Sequence, residues 1–124
     1  FLSEEQIQQQ NEAAENLALS FSTVPLALLL ASSAAIGEEI LFRGAIQPVF
    51  GLWATSIFFT LLHTQNLLTI GMFWLFFVGL MLGWLRQRYS TTAAIIAHFL
   101  YNFLILMLNN LAPTEGEAIL WFFA

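Results

Sequence analysis

EEILFRG, residues 38–44, is a charged stretch in a sequence that otherwise avoids charge. It holds two adjacent carboxylates, Glu38 and Glu39, and the guanidinium of Arg43. Neither residues 16–37 nor residues 44–85 include an Asp, Glu, Lys or Arg. Charged groups are costly to remove from water, so three of them in an apolar run must be paired or must serve a function.

The composition of the whole chain indicates an integral membrane protein. Of the 124 residues, 59% are hydrophobic, 15% are aromatic and only 9% are charged, and the mean hydropathy is +0.77. Globular proteins carry about 25% charged residues, so a soluble protein of 14.0 kDa would lack the charge to cover its surface. Lipid as the solvent removes that difficulty. We therefore predict a multi-pass membrane protein, although no feature of the sequence indicates which membrane.

Charge and cysteine content argue against several other classes of protein. The net charge of −5 arises largely at the N-terminus, where four of the eight acidic residues lie in the first fifteen positions. There is no basic patch, so a nucleic-acid partner is not expected. The absence of cysteine excludes disulfides and thiolate metal sites. The chain begins with Phe and has no signal-peptide pattern, so we expect it to be a piece of a longer protein with further helices upstream.

The sequence divides into three segments. Residues 1–20 are polar, with a capped helix start at Ser3, and predict an interfacial or linker segment. Residues 21–111 predict the catalytic membrane core. Residues 112–124 predict a tail or the start of a further helix.

Within the core we expect an all-α, polytopic transmembrane bundle of about four helices. The predicted helices are each about as long as a membrane crossing requires, and their short loops imply antiparallel neighbours. The first of them is rich in small residues, which let neighbouring helices approach closely. The predicted bounds are Thr23–Gln47 for helix A, which Pro48 ends, Gly51–Asn66 for helix B, Leu67–Arg86 for helix C and Thr91–Asn109 for helix D.

Polar groups on three of these helices lie at nearly the same depth. Depth is counted from the end where helix A finishes and helices B and D begin. Glu38, His63 and His98 then lie roughly 10 to 18 Å deep at 1.5 Å per residue, and Asn102 lies one turn deeper. Each group alone could be a structural hydrogen-bonding residue between helices. Together they predict one site, because ionisable groups in membrane helices usually face the bundle interior and mark function.

The spacing of the first motif suggests separate roles for its two carboxylates. Glu39 and Arg43 are four residues apart, so they share a helix face and can form an ion pair. We interpret that pair as structural. Glu38 points about 100° away, towards the interior and without a cation of its own. A carboxylate in that position is suited to act as a general base.

The other two helices repeat the four-residue spacing. His98 and Asn102 face one spot together on helix D, and Phe59 places its ring one turn from His63 on helix B. An asparagine amide and an imidazole can both donate hydrogen bonds. Peptide hydrolysis needs such donors for the developing oxyanion, as well as a base for the water.

The three motifs, in this order, resemble those of the CPBP family. This family comprises the type II CAAX prenyl proteases and the bacteriocin-processing and self-immunity (ABI) proteins. The resemblance spans about residues 23–111 and implies an intramembrane endopeptidase that processes prenylated (CAAX-type) or leader-type peptides. It rests on Glu38-Glu39-x-x-x-Arg43, Phe59-x-x-x-His63 and His98-x-x-x-Asn102, each on its own predicted membrane helix.

The resemblance also implies roles for these residues. Glu38 with His63 would activate the water, and His98 with Asn102 would form the oxyanion hole. The remaining motif residues would support the site: Glu39, Arg43 and Phe59.

Zinc provides a competing interpretation, since members of the family have also been regarded as metalloproteases. Glu38, His63 and His98 would supply the three protein ligands of a catalytic zinc. However, the sequence has no HExxH motif, and Glu39 could act as the separate base only by leaving Arg43. We therefore favour a reaction without a cofactor, with zinc as the alternative.

Two other functions are also compatible with buried glutamate and histidine. One is a proton-coupled transporter, although no pair of pseudo-symmetric halves is apparent. The other is a non-catalytic family member that binds a membrane partner in self-immunity or as a scaffold. Retention of every motif residue favours the enzyme. The expected partners are the lipid bilayer and a membrane-anchored or lipidated peptide or protein substrate.

Overall fold

The computed structural model describes residues 3–20, 24–63 and 68–111, and all of its elements are helices. The predicted tail, residues 112–124, lies outside the described residues. The element order is α1 (Glu4–Ser20), α2 (Val24–Glu39), a π-helix π1 (Ile40–Ile46), α3 (Gln47–Leu62), α4 (Ile70–Arg88) and α5 (Thr91–Leu111).

Three helical stretches in the described part of the chain are long and apolar enough to cross a membrane. They are Val24–Leu62, Ile70–Arg88 and Thr91–Leu108. The first has 39 residues and is broken at Gly51, so its two arms correspond to predicted helices A and B. The predicted all-α, polytopic bundle of an integral membrane protein is therefore confirmed.

Gly51 is where the chain turns back on itself. Its φ of 82° and ψ of 173° lie in a region that is open essentially only to glycine. Phe42 and Phe59 lie about equally far on either side of it, and their rings meet edge to face with centroids 5.2 Å apart. Glu38 and His63 are also nearly equidistant from Gly51, so the same fold-back brings the first motif to the second.

A single buried stripe runs along the first arm and changes from apolar to polar. In the apolar part of the stripe, the small alanine side chains let α5 approach closely, and Leu106 of α5 packs against them. The stripe consists of residues four apart, all at most 3% exposed: Ala27, Ala31, Ala35, Glu39, Arg43 and Gln47.

The π-helix explains how this stripe stays on one face. In an α-helix, residues four apart advance by about 40° beyond a full turn, so a four-residue stripe drifts around the helix. A π-helix closes its hydrogen bonds at i→i+5 and therefore rotates less per residue. The drift accumulated along α2 is reversed in Ile40–Ile46. Arg43 and Gln47 therefore face the same neighbours as Glu39.

The end of the first arm differs from the prediction. Pro48 does not end the helix, because it lies at the start of α3, where its missing N–H costs little. The break falls at Gly51 instead, since only glycine adopts the required backbone conformation.

Two further bounds were also wrong. Helix B was predicted to run to Asn66, but α3 ends at Leu62 and His63 has non-helical angles of −85° and 66°. Helix C was predicted to begin at Leu67, but α4 begins at Ile70, after Leu68 with a φ of 63°. Residues 64–67 lie outside the described residues.

The predicted start of the N-terminal helix is confirmed. The backbone N–H of Gln6 donates to Ser3 Oγ at 3.3 Å, and the N–H of Ser3 donates to Gln6 Oε1 at 2.9 Å. This reciprocal pair of bonds satisfies two donors that the first turn of α1 leaves without helical partners.

Candidate active site

The first pair of site residues joins the two arms of the hairpin. Glu38 lies near the end of α2 and His63 lies immediately after α3. Glu38 Oε2 is 3.9 Å from His63 Nε2, which is too far for a hydrogen bond. Glu38 Oε2 has no hydrogen-bond partner among the described residues. The Glu38 side chain is 30% exposed and that of His63 is 12% exposed, but the Glu38 Oε2 atom that faces His63 is buried.

The end of α3 fixes the orientation of the His63 ring. The backbone N–H of His63 donates to the Thr60 carbonyl at 3.1 Å. In a continuing α-helix it would donate to the Phe59 carbonyl, which is therefore left without a backbone donor. His63 Nδ1 lies 2.7 Å from that carbonyl oxygen. Because a carbonyl can only accept, Nδ1 carries the hydrogen, and Nε2 of the neutral ring is an acceptor. With a neutral His63 ring and an ionised Glu38, His63 Nε2 and Glu38 Oε2 are two acceptors that face each other.

Glu39 lies at the centre of a second, fully buried group. Its Oε1 accepts a hydrogen bond from Arg43 Nη1 at 3.0 Å and another from His98 Nδ1 at 2.7 Å. The side chains of all three residues are 0% exposed. The predicted ion pair of Glu39 and Arg43 is confirmed. The bond to His98 was not foreseen, and it ties α2 to α5.

Arg43 connects the same group to α4 and α3. Its Nη2 donates to the Gly79 carbonyl at 2.9 Å. The guanidinium lies 4.7 Å from the centre of the Phe59 ring and 5.7 Å from that of Phe42, within the range of cation–π attraction. The charge of Arg43 is thus balanced by a carboxylate, a carbonyl and two ring faces, which is how a buried guanidinium becomes tolerable.

Gln47, one turn after Arg43, makes a second side-chain hydrogen bond to α4, and the sequence analysis did not predict it. Its Nε2 donates to the Gly83 carbonyl at 2.9 Å. A Cβ atom at Gly83 would clash with Leu52 and would lie 2.9 Å from Gln47 Oε1, so a larger residue there would require both side chains to move. Two signals could have revealed it. Gln47 lies four residues after Arg43, and Gly79 and Gly83 form a G-x-x-x-G pattern.

Phe59 lies between the two histidines. Its fully buried ring is 4.7 Å from the His63 ring and 6.1 Å from the His98 ring, between centroids. Asn102 is fully buried one turn along α5 from His98. The Phe59 ring thus neighbours residues of both groups, His63 and His98.

A shared metal site is not formed by these residues. In residues 24–63 and 68–108, no three His, Asp or Glu side chains are placed so that they could hold one metal ion. His98 Nδ1 faces Glu39 rather than Glu38. The donor set that the zinc interpretation requires, Glu38 with His63 and His98, is therefore not grouped around a common point.

Comparison with known proteins gives a clear family match. The family model described as "Type II CAAX prenyl endopeptidase Rce1-like" matches residues 20–104, a range that includes every predicted site residue. The uncharacterized protein YpbD of Bacillus subtilis (strain 168) is 32% identical over 89 residues, which cover 64% of this chain and 43% of that protein. The chain thus spans less than half the length of this curated relative. No solved structure gives a significant match.

Proposed function

We propose that this chain, which belongs to the Type II CAAX prenyl endopeptidase Rce1-like family, is the catalytic part of an intramembrane endopeptidase. It hydrolyses a peptide bond of a membrane-anchored substrate by activating a water directly. The observation that carries the proposal is the facing pair of acceptors, Glu38 Oε2 and His63 Nε2, 3.9 Å apart.

Two acceptors at this separation suit one bridging water. A water about 2.8 Å from each atom can donate one hydrogen to the carboxylate and the other to the imidazole, because the two directions diverge by roughly a right angle. Its oxygen lone pairs then point away from both acceptors, towards an incoming carbonyl carbon. As the oxygen attacks, Glu38 takes one proton and His63 orients the other hydrogen. General base catalysis of this kind contributes about 10²- to 10⁴-fold in rate.

The oxyanion of the tetrahedral intermediate needs donors on the opposite side of the carbonyl. We assign this role to the imidazole of His98 and the side-chain amide of Asn102, which share a face of α5. Glu39, Arg43 and Phe59 support the site. Glu39, in α2, accepts a hydrogen bond from His98 of α5, and Arg43, in π1, donates one to the Gly79 carbonyl of α4. The ring of Phe59 lies next to both histidine rings.

The reaction that we propose needs no cofactor. A zinc mechanism would require Glu39 as the separate base, and Glu39 is already engaged by Arg43 and His98. Chelation tests this part of the proposal directly.

The substrate that we propose carries a lipid group, as the prenylated peptides named in the family description do. A largely apolar groove of about 310 Å³ lies between α3 and α4, and it supports this assignment. Two of its lining residues, Thr60 and Leu61, lie within one turn of His63. A hydrocarbon chain in this groove would hold the attached peptide near the proposed water.

The test is cleavage of a panel of prenylated and leader-type peptides by the full-length protein in lipid vesicles. Glu38→Gln is assayed beside the wild type, each with and without a zinc chelator. We expect cleavage by the wild type, none by Glu38→Gln, and no effect of the chelator. Loss of cleavage on chelation, with recovery on adding zinc, would favour the metal mechanism. If neither protein cleaves any peptide and both bind their membrane partners equally, the non-catalytic alternative is favoured.

A further inference from the structure

We propose that Glu39 and His98 form an acid dyad, in which His98 delivers a proton to the leaving amine and Glu39 holds the ring ready to do so. This inference rests on the proposed function and extends it. His98 contacts the tetrahedral intermediate as a donor, and in addition its proton is transferred when the C–N bond breaks. Glu39 is then a positioning residue that acts through His98, in addition to stabilising the bundle.

The first argument is the direction of the hydrogen bond between the two residues. A carboxylate can only accept, so the 2.7 Å contact places a hydrogen on His98 Nδ1. In the neutral ring, Nε2 would then be an acceptor and could not donate to an oxyanion. Any donating role for Nε2 therefore requires the imidazolium, with hydrogens on both nitrogens. Such a ring has a proton that it can give away.

The second argument is charge balance in the buried cluster. Uncompensated charge in a membrane interior is costly, so buried charges must be matched. Glu38 and Glu39 supply two negative charges and Arg43 supplies one positive charge. The imidazolium of His98 supplies the second, because its Nδ1 bonds the Glu39 carboxylate directly at 2.7 Å. In the mechanism proposed above His63 is not the second cation, because its Nε2 accepts a hydrogen bond from the water.

The third argument is the contrast between the two histidines. Both present Nδ1 to an oxygen that can only accept, but the oxygens differ. His63 Nδ1 bonds the neutral carbonyl of Phe59, which suits a neutral ring with a basic Nε2. His98 Nδ1 bonds a carboxylate shared with Arg43, which stabilises a cation. One histidine is thus suited to accept a hydrogen bond from water and the other to donate a proton.

The reaction balances in protons. The water oxygen bonds to the carbonyl carbon as one water proton passes to Glu38. The C–N bond then breaks, and the amine nitrogen takes the proton from His98 Nε2. The products are a carboxylic acid and an amine. The enzyme is left with a protonated Glu38 and a neutral His98, and transfer of one proton from the former to the latter, through solvent, restores both.

The test compares two substrates that differ in the leaving group alone. The first is any peptide that the full-length wild type cleaves in vesicles. The second is the same peptide with sulfur in place of the scissile N–H. Thiols have pKa values of about 8.5, so a thiolate leaves without a proton, whereas an amine must be protonated as it leaves. Both substrates pass through the same tetrahedral oxyanion.

We expect His98→Gln to slow cleavage of the peptide at least about 10²-fold more than cleavage of the thioester, since general acid catalysis contributes 10²- to 10⁴-fold. Glu39→Gln should show the same selectivity in kcat, because it removes the charge that holds the imidazolium. Asn102→Ala is the matched control on the same face of α5. It should slow both substrates equally, by about 10²- to 10³-fold, as loss of an oxyanion donor does.

Equal losses on both substrates for His98→Gln would overturn the dyad and leave His98 as an oxyanion donor only, with the proposed function intact. A wild type that cleaves neither substrate nor any panel peptide would overturn the proposed function, and the dyad with it. If Glu39→Gln fails to fold, His98→Gln still decides whether His98 delivers the proton, because it leaves the pair of Glu39 and Arg43 in place.

Discussion

Glu38 and Glu39 are neighbours in the sequence, yet the structure places them in opposite environments. Glu38 is partly exposed, its Oε2 lies 3.9 Å from His63 Nε2, too far for a hydrogen bond, and this oxygen has no hydrogen-bond partner among the described residues. Glu39 is fully buried, and one of its oxygens accepts two hydrogen bonds from cationic or potentially cationic donors. The same side chain is thus left reactive at one position and neutralised at the next.

The difference follows from one helical step of about 100°. That step aims Glu38 at the end of α3 and Glu39 at α5 and the Arg43 guanidinium. A carboxylate without bonded donors retains its basicity, whereas a carboxylate between two donors stabilises the fold. Substitution of Glu38 should therefore lower activity without lowering stability, whereas substitution of Glu39 should lower both.

The largest expected effect is on activity at Glu38. Glu38→Gln should lower kcat/KM by about 10²- to 10⁴-fold, because it removes the base that takes the water proton. Its thermal unfolding temperature in lipid should not fall, since no hydrogen bond of Glu38 Oε2 is lost. Glu39→Gln is the matched control and should lower the unfolding temperature. A destabilisation by Glu38→Gln as large as that by Glu39→Gln would erase the contrast between the two positions.

The next effect is on stability at Arg43. Arg43→Met should lower the free energy of unfolding by about 3 to 5 kcal/mol, because it leaves the buried charge of Glu39 without its cation. Denaturation in detergent or lipid measures this loss. Arg43→Lys retains the charge but not the two-pronged contact with Glu39 and Gly79, so its stability should be intermediate. If Arg43→Met unfolds like the wild type, the buried group does not hold the bundle together.

A smaller loss of stability is expected on substitution of Gly51, the residue that brings Glu38 and His63 together. Gly51→Ala should lower the free energy of unfolding by about 1 to 3 kcal/mol, since a residue with a side chain is strained at a φ of 82°. It should also lower activity, because the fold-back at this residue brings His63 to Glu38. Gly37→Ala is the matched control, since a Cβ there meets nothing within 4 Å and alanine favours a helix. Equal behaviour of the two variants would contradict the role of Gly51.

The smallest effect should come from Gln47, at the end of the buried stripe. Gln47→Leu removes one hydrogen bond to the Gly83 carbonyl and should lower the free energy of unfolding by about 1 kcal/mol. Activity measured below the unfolding transition should stay near that of the wild type, because Gln47 belongs to neither carboxylate's group. A loss of activity comparable to that of Glu38→Gln would extend the reactive site to this residue.

The sequence was sufficient to predict the approximate number of helices, the burial of the charged motif and the ion pair of Glu39 with Arg43. Composition and four-residue spacing report directly on these properties. The common depth of Glu38, His63 and His98 stays a prediction, which rests on the nearly constant rise per residue along helices.

What could not be predicted depends on where helices end and how they rotate. The π-helix at Ile40–Ile46 changes the rotation of the first arm by an amount that no local pattern encodes. His63 was expected within a helix, and its place just after the last turn is what frees the Phe59 carbonyl to fix its ring. The bond from His98 to Glu39 rather than Glu38 depends on both effects, so spacing alone could not decide it.

The central claim, that Glu38 and His63 act on one water, is tested most directly by a double-mutant cycle. Peptide cleavage by the full-length protein in vesicles is measured for wild type, Glu38→Gln, His63→Gln and the double variant. Residues that act as a unit show strongly non-additive effects, so the double variant should be no slower than the slower single variant, within about threefold. If the two losses multiply instead, Glu38 and His63 act on separate steps and the shared water is contradicted.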